Sequence, residues 1–569
     1  MIQKSLYWIR VPEPNLSLEI APKIPAWHLP TLISCTVQFF PSLYPIDITL
    51  ISGPRKINHG GDGRGDGRDG TGRRGRGTIA ESILDYDSDS DVCAKKGEHL
   101  KSKFLGLLLG PLAFAALASW PGPVDLPVQA RMTGAVALWM VVWWIFEAIP
   151  IPATSLLPLV LFPVFGIMNI GKTSIQYADK NVFLFMGGFM MALGMEKWGL
   201  HRRIALRTIQ ILGTGQRRLV LGFMLASAFL SMWISNTATT MLMLPVALAV
   251  IEHFENRRGS DRLATVLLLG VAYAASVGGI GTLVGTPPNI VLAGTVKKLL
   301  PGTPEIGFAQ WMKIGVPLVI VFLPLMWLVL TRVIVKLPAD REKVDLSAEL
   351  GSLGPMSRGE WSVLVVFGLV ALGWILRKPV LSKLAPGISD AGLAMAGALV
   401  LFIIPADKQF KEFILDWKQA SHLPWGVLIL FGGGFALAAA MHQSGLSAWL
   451  GNKLSVLKGM PLPLTVFIVA AFMAALTELT SNTATTMTML PILAAVALGT
   501  GKNPLLLMVP ATMAASCAFM LPVATPPNAI VFGSGKIRLA EMFKIGLWME
   551  IMGVILITLL VTVAGNVVF

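Results

Sequence analysis

Charged side chains are scarce in this sequence of 569 residues. Asp, Glu, Lys and Arg make up only 14% of it, whereas hydrophobic residues make up 54%. Soluble domains carry roughly 25% charged residues, so the composition excludes an ordinary soluble fold. The mean hydropathy of +0.68 indicates an integral membrane protein instead.

Cysteine is also rare, and Cys35, Cys93 and Cys517 are its only occurrences. None of them belongs to a Cys-x-x-Cys or Cys/His spacing, so the sequence predicts neither a disulfide framework nor a metal site of cysteines and histidines. An intramembrane enzyme would need a nucleophile with its base, or paired carboxylates. We recognise no such set of residues in the apolar segments. We therefore expect no enzymatic activity and no cofactor.

The positive net charge, +14 at pH 7, does not predict a nucleic-acid partner. Lys and Arg lie in the N-terminal region and between apolar segments, which is typical of the loops of polytopic membrane proteins. The stretch 59–77 is rich in Gly, Arg and Asp and has almost no apolar side chain to bury. We therefore expect residues 1–100 to form a disordered or low-complexity extension.

Apolar stretches of about twenty residues recur from residue 104 to the end of the chain. Their length, and the Gly and Pro within them, predict membrane-spanning helices rather than the alternating strands of a barrel. We predict an all-α polytopic fold with about eleven transmembrane helices, with the lipid bilayer of a plasma membrane or bacterial inner membrane around it.

Two long motifs each occur twice. SNTATTMLMLP at 235–245 differs from SNTATTMTMLP at 481–491 only in Leu242 against Thr488, and the apolar stretches at 185–200 and 431–446 are separated by the same interval. A third pair follows, GTPPNIV from Gly285 and ATPPNAIV from Ala524. This is an internal duplication, with predicted repeats at 101–345 and 346–569.

The first SNT motif lies in the middle of an apolar region, 219–254, that has arginines at both ends. One straight helix of that length would measure about 54 Å, against a hydrocarbon core of about 30 Å. We therefore predict a re-entrant hairpin there and another around 465–500, with two full spans as the alternative. The Gly- and Pro-rich segments around 278–289 and 517–528 predict broken helices. An odd number of crossings between the copies predicts an inverted-topology repeat.

The tip of a re-entrant hairpin presents neutral oxygen atoms. Backbone carbonyls, an Asn carboxamide and Ser or Thr hydroxyls suit an alkali cation, while helix N-termini and hydroxyl or amide donors can hold a carboxylate. The alternative is that these side chains only form hydrogen bonds between packed membrane helices.

The twin SNT motifs, each followed by a TPPN sequence, resemble the divalent anion:sodium symporter family. The resemblance implies dimers that work as elevators and carry sodium as a co-transported ion. It implies a first sodium site at Ser231, Ser235, Asn236 and Gly285, and a second at Thr477, Ser481, Asn482 and Ala524. The anion would contact Asn236, Thr237, Asn482, Thr483, Thr286 and Thr525.

The expected function is sodium-coupled uptake of a C4 dicarboxylate such as succinate, malate or fumarate. Sodium-coupled transport of citrate or sulfate, and sodium-independent dicarboxylate exchange, remain alternatives. A channel would not need two re-entrant hairpins and two broken helices. A proton-coupled transporter is expected to have an intramembrane pair of acidic residues. Glu478 is the only candidate that the sequence offers; it could tune the cation site or accept hydrogen bonds from the hairpin backbone.

Overall fold

The computed structural model describes residues 88–121, 123, 125–213, 215–254, 260–337, 351–407, 409–453 and 459–568. Most of the predicted extension 1–100, and the predicted boundary between the repeats at 345/346, lie outside these residues. The first helix already begins at Ser88, so the end of the predicted extension is helical. Ala, Lys, Glu and Leu residues, which favour helix, are frequent between residues 94 and 101.

The described residues of the first half form helices without a β-strand. In chain order they are α1 Ser88–Ser119, α2 Val128–Phe146, α3 Ile151–Thr154, α4 Leu157–Val164, α5 Ile170–Ser174 with a 3₁₀ turn Ile175–Ala178, α6 Lys180–Lys197, α7 Leu200–Leu212, α8 Gln216–Ser231, α9 Asn236–Phe254, α10 Ser260–Ile280, α11 Pro287–Leu299 and α12 Phe308–Leu328, which continues as a π-helix Val329–Ile334.

The second half is likewise helical where it is described. Its helices are α13 Arg358–Leu376 with a π-helix Arg377–Leu381, α14 Ser382–Leu384, α15 Asp390–Ile403, α16 Trp417–Ala420, α17 Trp425–Gln443, α18 Leu446–Lys453, α19 Leu462–Thr477, α20 Asn482–Thr500, α21 Leu505–Ala514, α22 Pro526–Phe532 and α23 Leu539–Val568. An isolated bridge between Pro405 and Phe413 is not part of a strand. The predicted all-α class is confirmed.

Seven helical stretches of the described chain are long and apolar enough to cross a membrane. They are Val128–Phe146, Asp261–Ile280, Phe308–Ile334, Arg358–Leu384, Trp425–Gln443, Asn482–Thr500 and Leu539–Gly565. Shorter apolar helices include Lys103–Ser119, Asp390–Ile403 and Leu462–Thr477. The number of eleven crossings remains a prediction, because helix length and composition do not fix how many of the shorter helices cross.

Glycine allows the central helices to pack closely. A Cβ atom on Gly278 of α10 would overlap the backbone of Ala228 in α8, so these two helices touch along their backbones. In the same way Gly315 of α12 lies against the carbonyl of Ile280, and Gly546 of α23 lies against the carbonyl of Phe519. Close packing of this kind is typical of membrane helices with small residues at their contacts. Residues 263–280 of α10 are all buried.

Contacts between the two halves place the duplicated elements together. Helix α9, which bears the first SNT motif, packs against α22. Helix α20, which bears the second SNT motif, packs against α11. Each SNT-bearing helix therefore touches the TPPN-bearing helix of the other repeat. Within each repeat, the tip also lies beside the loop of the broken helix: Asn236 approaches Gly279, and Glu478 accepts from the amides of Met520 and Leu521.

Candidate functional site

The first tip lies between the end of α8 at Ser231 and the start of α9 at Asn236. The Ser231 hydroxyl donates a hydrogen bond of 2.6 Å to the Asn236 carbonyl Oδ1. The Ser235 hydroxyl accepts from the amide of Ala238 at 3.2 Å, which satisfies one of the free N–H groups at the start of a helix. Ser235 therefore caps the start of α9, and Ser231, the last residue of α8, aligns the Asn236 side chain.

The second tip repeats this geometry. The Thr477 hydroxyl donates to Asn482 Oδ1 at 2.6 Å, as Ser231 does to Asn236. One turn into each following helix, a Thr hydroxyl donates to the Asn main-chain carbonyl: Thr240 at 2.9 Å and Thr486 at 2.7 Å. Two segments far apart in sequence thus hold an Asn carboxamide in the same way.

The two broken helices are held by an Asn that sequence reasoning did not assign to the site. The Asn289 amide donates to the carbonyls of Gly279 at 3.0 Å and Thr282 at 2.7 Å. The Asn528 amide donates to the equivalent carbonyls of Ala518 at 3.1 Å and Leu521 at 3.0 Å. Both side chains are completely buried. Their presence in both copies of TPPN was the signal that could have revealed them.

Oxygen atoms surround a small space at the first tip. A Cβ atom on Gly285 would lie 2.5 Å from the Gly279 carbonyl oxygen and 2.9 Å from the Ser231 carbonyl oxygen. A Cβ atom on Gly279 would lie 2.6 Å from Asn236 Oδ1 and 3.2 Å from the Gly285 carbonyl oxygen. Oxygens of four residues therefore approach a place where neither glycine can carry a side chain. Neutral oxygens gathered in this way are the ligand type that hard cations prefer.

The second tip is related to the first but is not identical to it. Ala518 and Ala524 replace the two glycines, and the Thr477 hydroxyl also approaches the Ala515 carbonyl at 3.1 Å. Ala524 is 8% exposed. The two predicted sodium sites therefore have different surroundings even though their Asn side chains are held alike.

The residues predicted to contact an anion differ in their access to solvent. Asn236, Thr237 and Asn482 are partly exposed, whereas Thr483, Thr286 and Thr525 are buried. The sodium-site residues Ser235 and Ser481 are also partly exposed. Thr286 and Thr525 precede helices whose first two residues are prolines, and proline has no N–H to donate. The N-termini of α11 and α22 therefore offer an anion few backbone donors. The first turns of α9 and α20 do not have this restriction.

Groups of three or more His, Cys, Asp or Glu side chains that could hold a metal ion are not present in the described part of the chain. The oxygens that approach one another at the first tip are the neutral ones of Ser231, Asn236, Gly279 and Gly285.

Comparisons with known proteins point to one family. The family described as "Sodium:sulfate symporter transmembrane region" matches residues 101–569. The "Sodium-dependent dicarboxylate transporter SdcS" of Staphylococcus saprophyticus is 44% identical over 474 residues, which cover 81% of this chain and 91% of the relative. The protein of the same description from Staphylococcus aureus (strain NCTC 8325 / PS 47) is 44% identical over 498 residues, or 85% of this chain and 94% of the relative.

A solved structure, that of the Alcanivorax borkumensis YdaH transporter, covers 78% of this chain and 99% of its own with a TM-score of 0.51. Its sequence is only 12% identical, so the similarity concerns the fold alone. The family match and the curated relatives confirm the resemblance that the twin motifs indicated. The chain belongs to the sodium:sulfate symporter family, that of the divalent anion:sodium symporters, and is a multi-pass integral membrane protein.

Proposed function

We propose that this protein couples the inward movement of sodium to the uptake of a C4 dicarboxylate. The observation that carries the proposal is the matched pair of tips, in which Ser231 and Thr477 align Asn236 and Asn482 beside the broken helices. Two similar polar clamps suit a substrate with a carboxylate at each end. The description of the 44% identical relatives as sodium-dependent dicarboxylate transporters supports the same substrate class.

The proposed sodium ligands are those that the resemblance implied. The first ion would be held by Ser231, Ser235, Asn236 and Gly285, and the second by Thr477, Ser481, Asn482 and Ala524. The proposed anion contacts are Asn236, Thr237, Asn482, Thr483, Thr286 and Thr525.

Electrostatics explains why the binding of sodium and the binding of the anion are coupled. A doubly negative anion is costly to place among apolar helices, and bound sodium ions supply the positive charge that offsets this cost. Because linkage is reciprocal, the anion must raise the affinity for sodium by the factor by which sodium raises the affinity for the anion.

The proposed movement is that of an elevator, in which the part of the protein bearing the two hairpins slides against the remaining helices. We also propose that two copies of the chain form a homodimer and that 101–345 and 346–569 are inverted repeats. The contacts of α9 with α22 and of α20 with α11 support treating both SNT-bearing helices as one moving unit.

The decisive experiment measures succinate uptake into proteoliposomes that contain the purified protein. We expect uptake to require an inward sodium gradient and to be lost when potassium replaces sodium on both sides of the membrane. Succinate uptake that is driven equally by a proton gradient without sodium would refute sodium coupling.

Sulfate is the second candidate substrate, because the description of the matching family names a sodium:sulfate symporter. The same vesicles distinguish the two, since labelled succinate and labelled sulfate can be compared under one sodium gradient. Sodium-driven uptake of sulfate but not of succinate would replace the dicarboxylate in our proposal.

A further inference from the structure

The contacts between helices divide the described chain into two groups around the site. Helix α12 packs against α8, α10 and α23, so it belongs with the two hairpins and the broken helices, which we name the hairpin group. Helix α6 packs against α13, α15 and α17, which together with α6 we name the frame group. Helix α11 contacts α20 and α21 on one side and α17 on the other. It therefore lies at the boundary between the groups.

Two ion pairs of opposite polarity cross this boundary where α11 leads into α12. Lys298 Nζ lies 3.0 Å from Asp179 Oδ2, and Lys180 Nζ lies 2.7 Å from Glu305 Oε1. Asp179 and Lys180 are neighbours at the start of α6. A displacement that moved Lys298 towards Lys180 would be unfavourable, because like charges repel. The two pairs therefore favour one position of this stretch relative to α6.

A backbone amide of α12 makes a third contact across the boundary. Asp390 Oδ2, at the start of α15, accepts from the Phe308 amide at 3.0 Å. The other oxygen of the same carboxylate lies 2.6 Å from Arg377 Nε, at the end of α13. A carboxylate is favourable at the N-terminus of a helix, so the frame group supplies a negative charge where α12 begins. Lys378 adds a hydrogen bond of 2.9 Å to Gln310 Oε1.

These contacts lie next to the first tip. A cavity of about 10 Å³, room for about one water molecule, is lined by Lys180, Glu305 and Asp390. Leu283 also lines it, and this residue lies in the loop of the first broken helix, two residues before Gly285. The boundary contacts are therefore directly connected to a segment of the proposed sodium site.

Contacts of this kind can open and close again. An ion pair contributes little net free energy when it is buried, because the attraction is offset by the loss of hydration. When the two charges separate into water, that hydration is regained. The side chains of Lys180 and Glu305 are already 32% and 39% exposed, so water reaches this pair. Separating the groups here costs less than exposing an apolar contact of the same size.

The corresponding stretch of the second repeat uses its charges differently. Helix α23 corresponds to α12, because Lys-Ile-Gly occurs in both, at 313–315 and at 544–546. At the start of α23, Arg538 and Glu541 pair with each other, and the Arg538 side chain is 83% exposed. Under the proposed inverted repeat, the two stretches lie on opposite sides of the membrane. Binding of the frame group by the charges of the first stretch agrees with one position of an alternating-access cycle.

We propose that these contacts form a latch, which consists of Lys298 with Asp179, Glu305 with Lys180, and the Phe308 amide with Asp390. The latch holds the hairpin group in one of its two positions against the frame group. It must open before the hairpin group can slide. This inference rests on the proposed elevator movement, and it assigns the latch residues no contact with sodium or the anion.

The test ties the latch shut with a covalent link. Lys180→Cys and Glu305→Cys are combined in a variant whose three native cysteines are replaced by alanine, and a bifunctional methanethiosulfonate reagent joins the two thiols. We expect the link to reduce sodium-driven succinate uptake into proteoliposomes at least about tenfold, because transport requires the movement. Dithiothreitol cleaves the link and should restore uptake. Mass spectrometry of the linked peptides gives the fraction of linked protein.

Lys197→Cys with Glu412→Cys is the matched control. These two residues also form a Lys–Glu pair, with 2.9 Å between Nζ and Oε1. Lys197 ends α6, and Glu412 lies in the segment after α15 that bonds back to that helix through the amides of Ile414 and Leu415. Both positions therefore lie on the frame side, and linking them should leave uptake unchanged.

If the Lys180/Glu305 double variant does not fold or transport before linking, Lys378→Cys with Gln310→Cys joins the same two groups outside the latch, and the same loss on linking is expected. Undiminished uptake by protein linked across the boundary would overturn the inference, and so would an equal loss in the linked control. A lack of sodium-driven uptake in the unmodified protein would instead refute the proposed function.

Discussion

At the scale of single residues, the most informative feature is the hydroxyl-to-carboxamide bond at each tip. Because Ser231 and Thr477 donate their hydroxyl hydrogen to Asn Oδ1, the hydroxyl oxygen and Oδ1 both keep lone pairs that can bind a cation. A cation can then be bound by a pair of neutral oxygens that are already fixed in orientation. Such prior alignment reduces the entropy lost when a ligand binds.

We expect Asn236→Ala and Asn482→Ala each to reduce sodium-driven succinate uptake at least about tenfold, because each removes a carbonyl ligand and leaves a hydroxyl without its acceptor. The measurement is initial uptake per amount of folded protein, judged by size-exclusion chromatography.

Asn169→Ala serves as the control for these two variants. Asn169 is an exposed residue whose side chain caps α5 by accepting from the Lys172 amide at 2.8 Å, so its loss should cost about 1 kcal/mol of stability at most without altering uptake. Unchanged kinetics in both tip variants would contradict the assignment of the site.

At the scale of elements, each broken helix is an interruption that is held in shape rather than a flexible gap. The buried amides of Asn289 and Asn528 each bridge two carbonyls, one pair at and just after the end of α10 and the other in the loop after α21. Unpaired carbonyls at that depth would be costly, so one Asn stabilises a loop that could not otherwise persist there.

Asn289→Ala should therefore destabilise the loop between α10 and α11 more than it destabilises the folded protein as a whole. We expect a loss of roughly 1–3 kcal/mol from the unpaired carbonyls, and a rise in the sodium concentration for half-maximal uptake. Thermal unfolding in detergent and sodium titration of uptake measure the two effects separately.

Asn181→Ala is a suitable comparison for Asn289→Ala, since Asn181 is also buried but its amide contacts the Asp179 side chain at 2.8 Å. It should lower stability without altering the sodium requirement. A sodium requirement raised equally by both variants would argue against a specific role of Asn289 in shaping the loop.

The elements also show how far the sequence alone could lead. The identical SNTATT hexapeptides predicted the two tips because a repeated polar motif in an apolar chain is readable without coordinates. The bonds of Asn289 and Asn528 to loop carbonyls were not predictable, because TPPN does not say which way the amide points. The bonds of Glu478 to the amides of Met520 and Leu521 gave no signal either, since spacing along the chain does not say which segment a buried carboxyl group reaches.

At the scale of the whole molecule, a buried ion pair joins the first broken helix to the rest of the protein. Lys298 of α11 lies 3.0 Å from Asp179, and its ammonium group also lies 5.1 Å from the centre of the Phe435 ring. Both charged side chains are about nine-tenths buried, with 13% and 14% exposure. Breaking such a pair leaves an uncompensated buried charge.

We expect Lys298→Asp and Asp179→Lys each to lower the thermal unfolding midpoint, and the exchanged double variant to lose less than the sum of the two. The coupling energy should be about 1–3 kcal/mol, the upper part of the range for contacting charges. Thermal unfolding of the unmodified protein, the two single variants and the double variant is followed by tryptophan fluorescence. The four midpoints give the coupling energy of the double-mutant cycle. Strictly additive losses would show that the pair does not connect the two parts.

A buried carboxyl group behind only one of the two similar tips has a consequence for substrates whose two ends differ. An anion between two equal clamps would have two orientations of the same energy. Glu478 lies three residues before Ser481, whereas Met232 lies three residues before Ser235, so the surroundings of the two ends are unlike. Under the proposed function a symmetric dicarboxylate such as succinate is indifferent to this difference. Malate, whose hydroxyl lies nearer one carboxylate, would bind predominantly one way round.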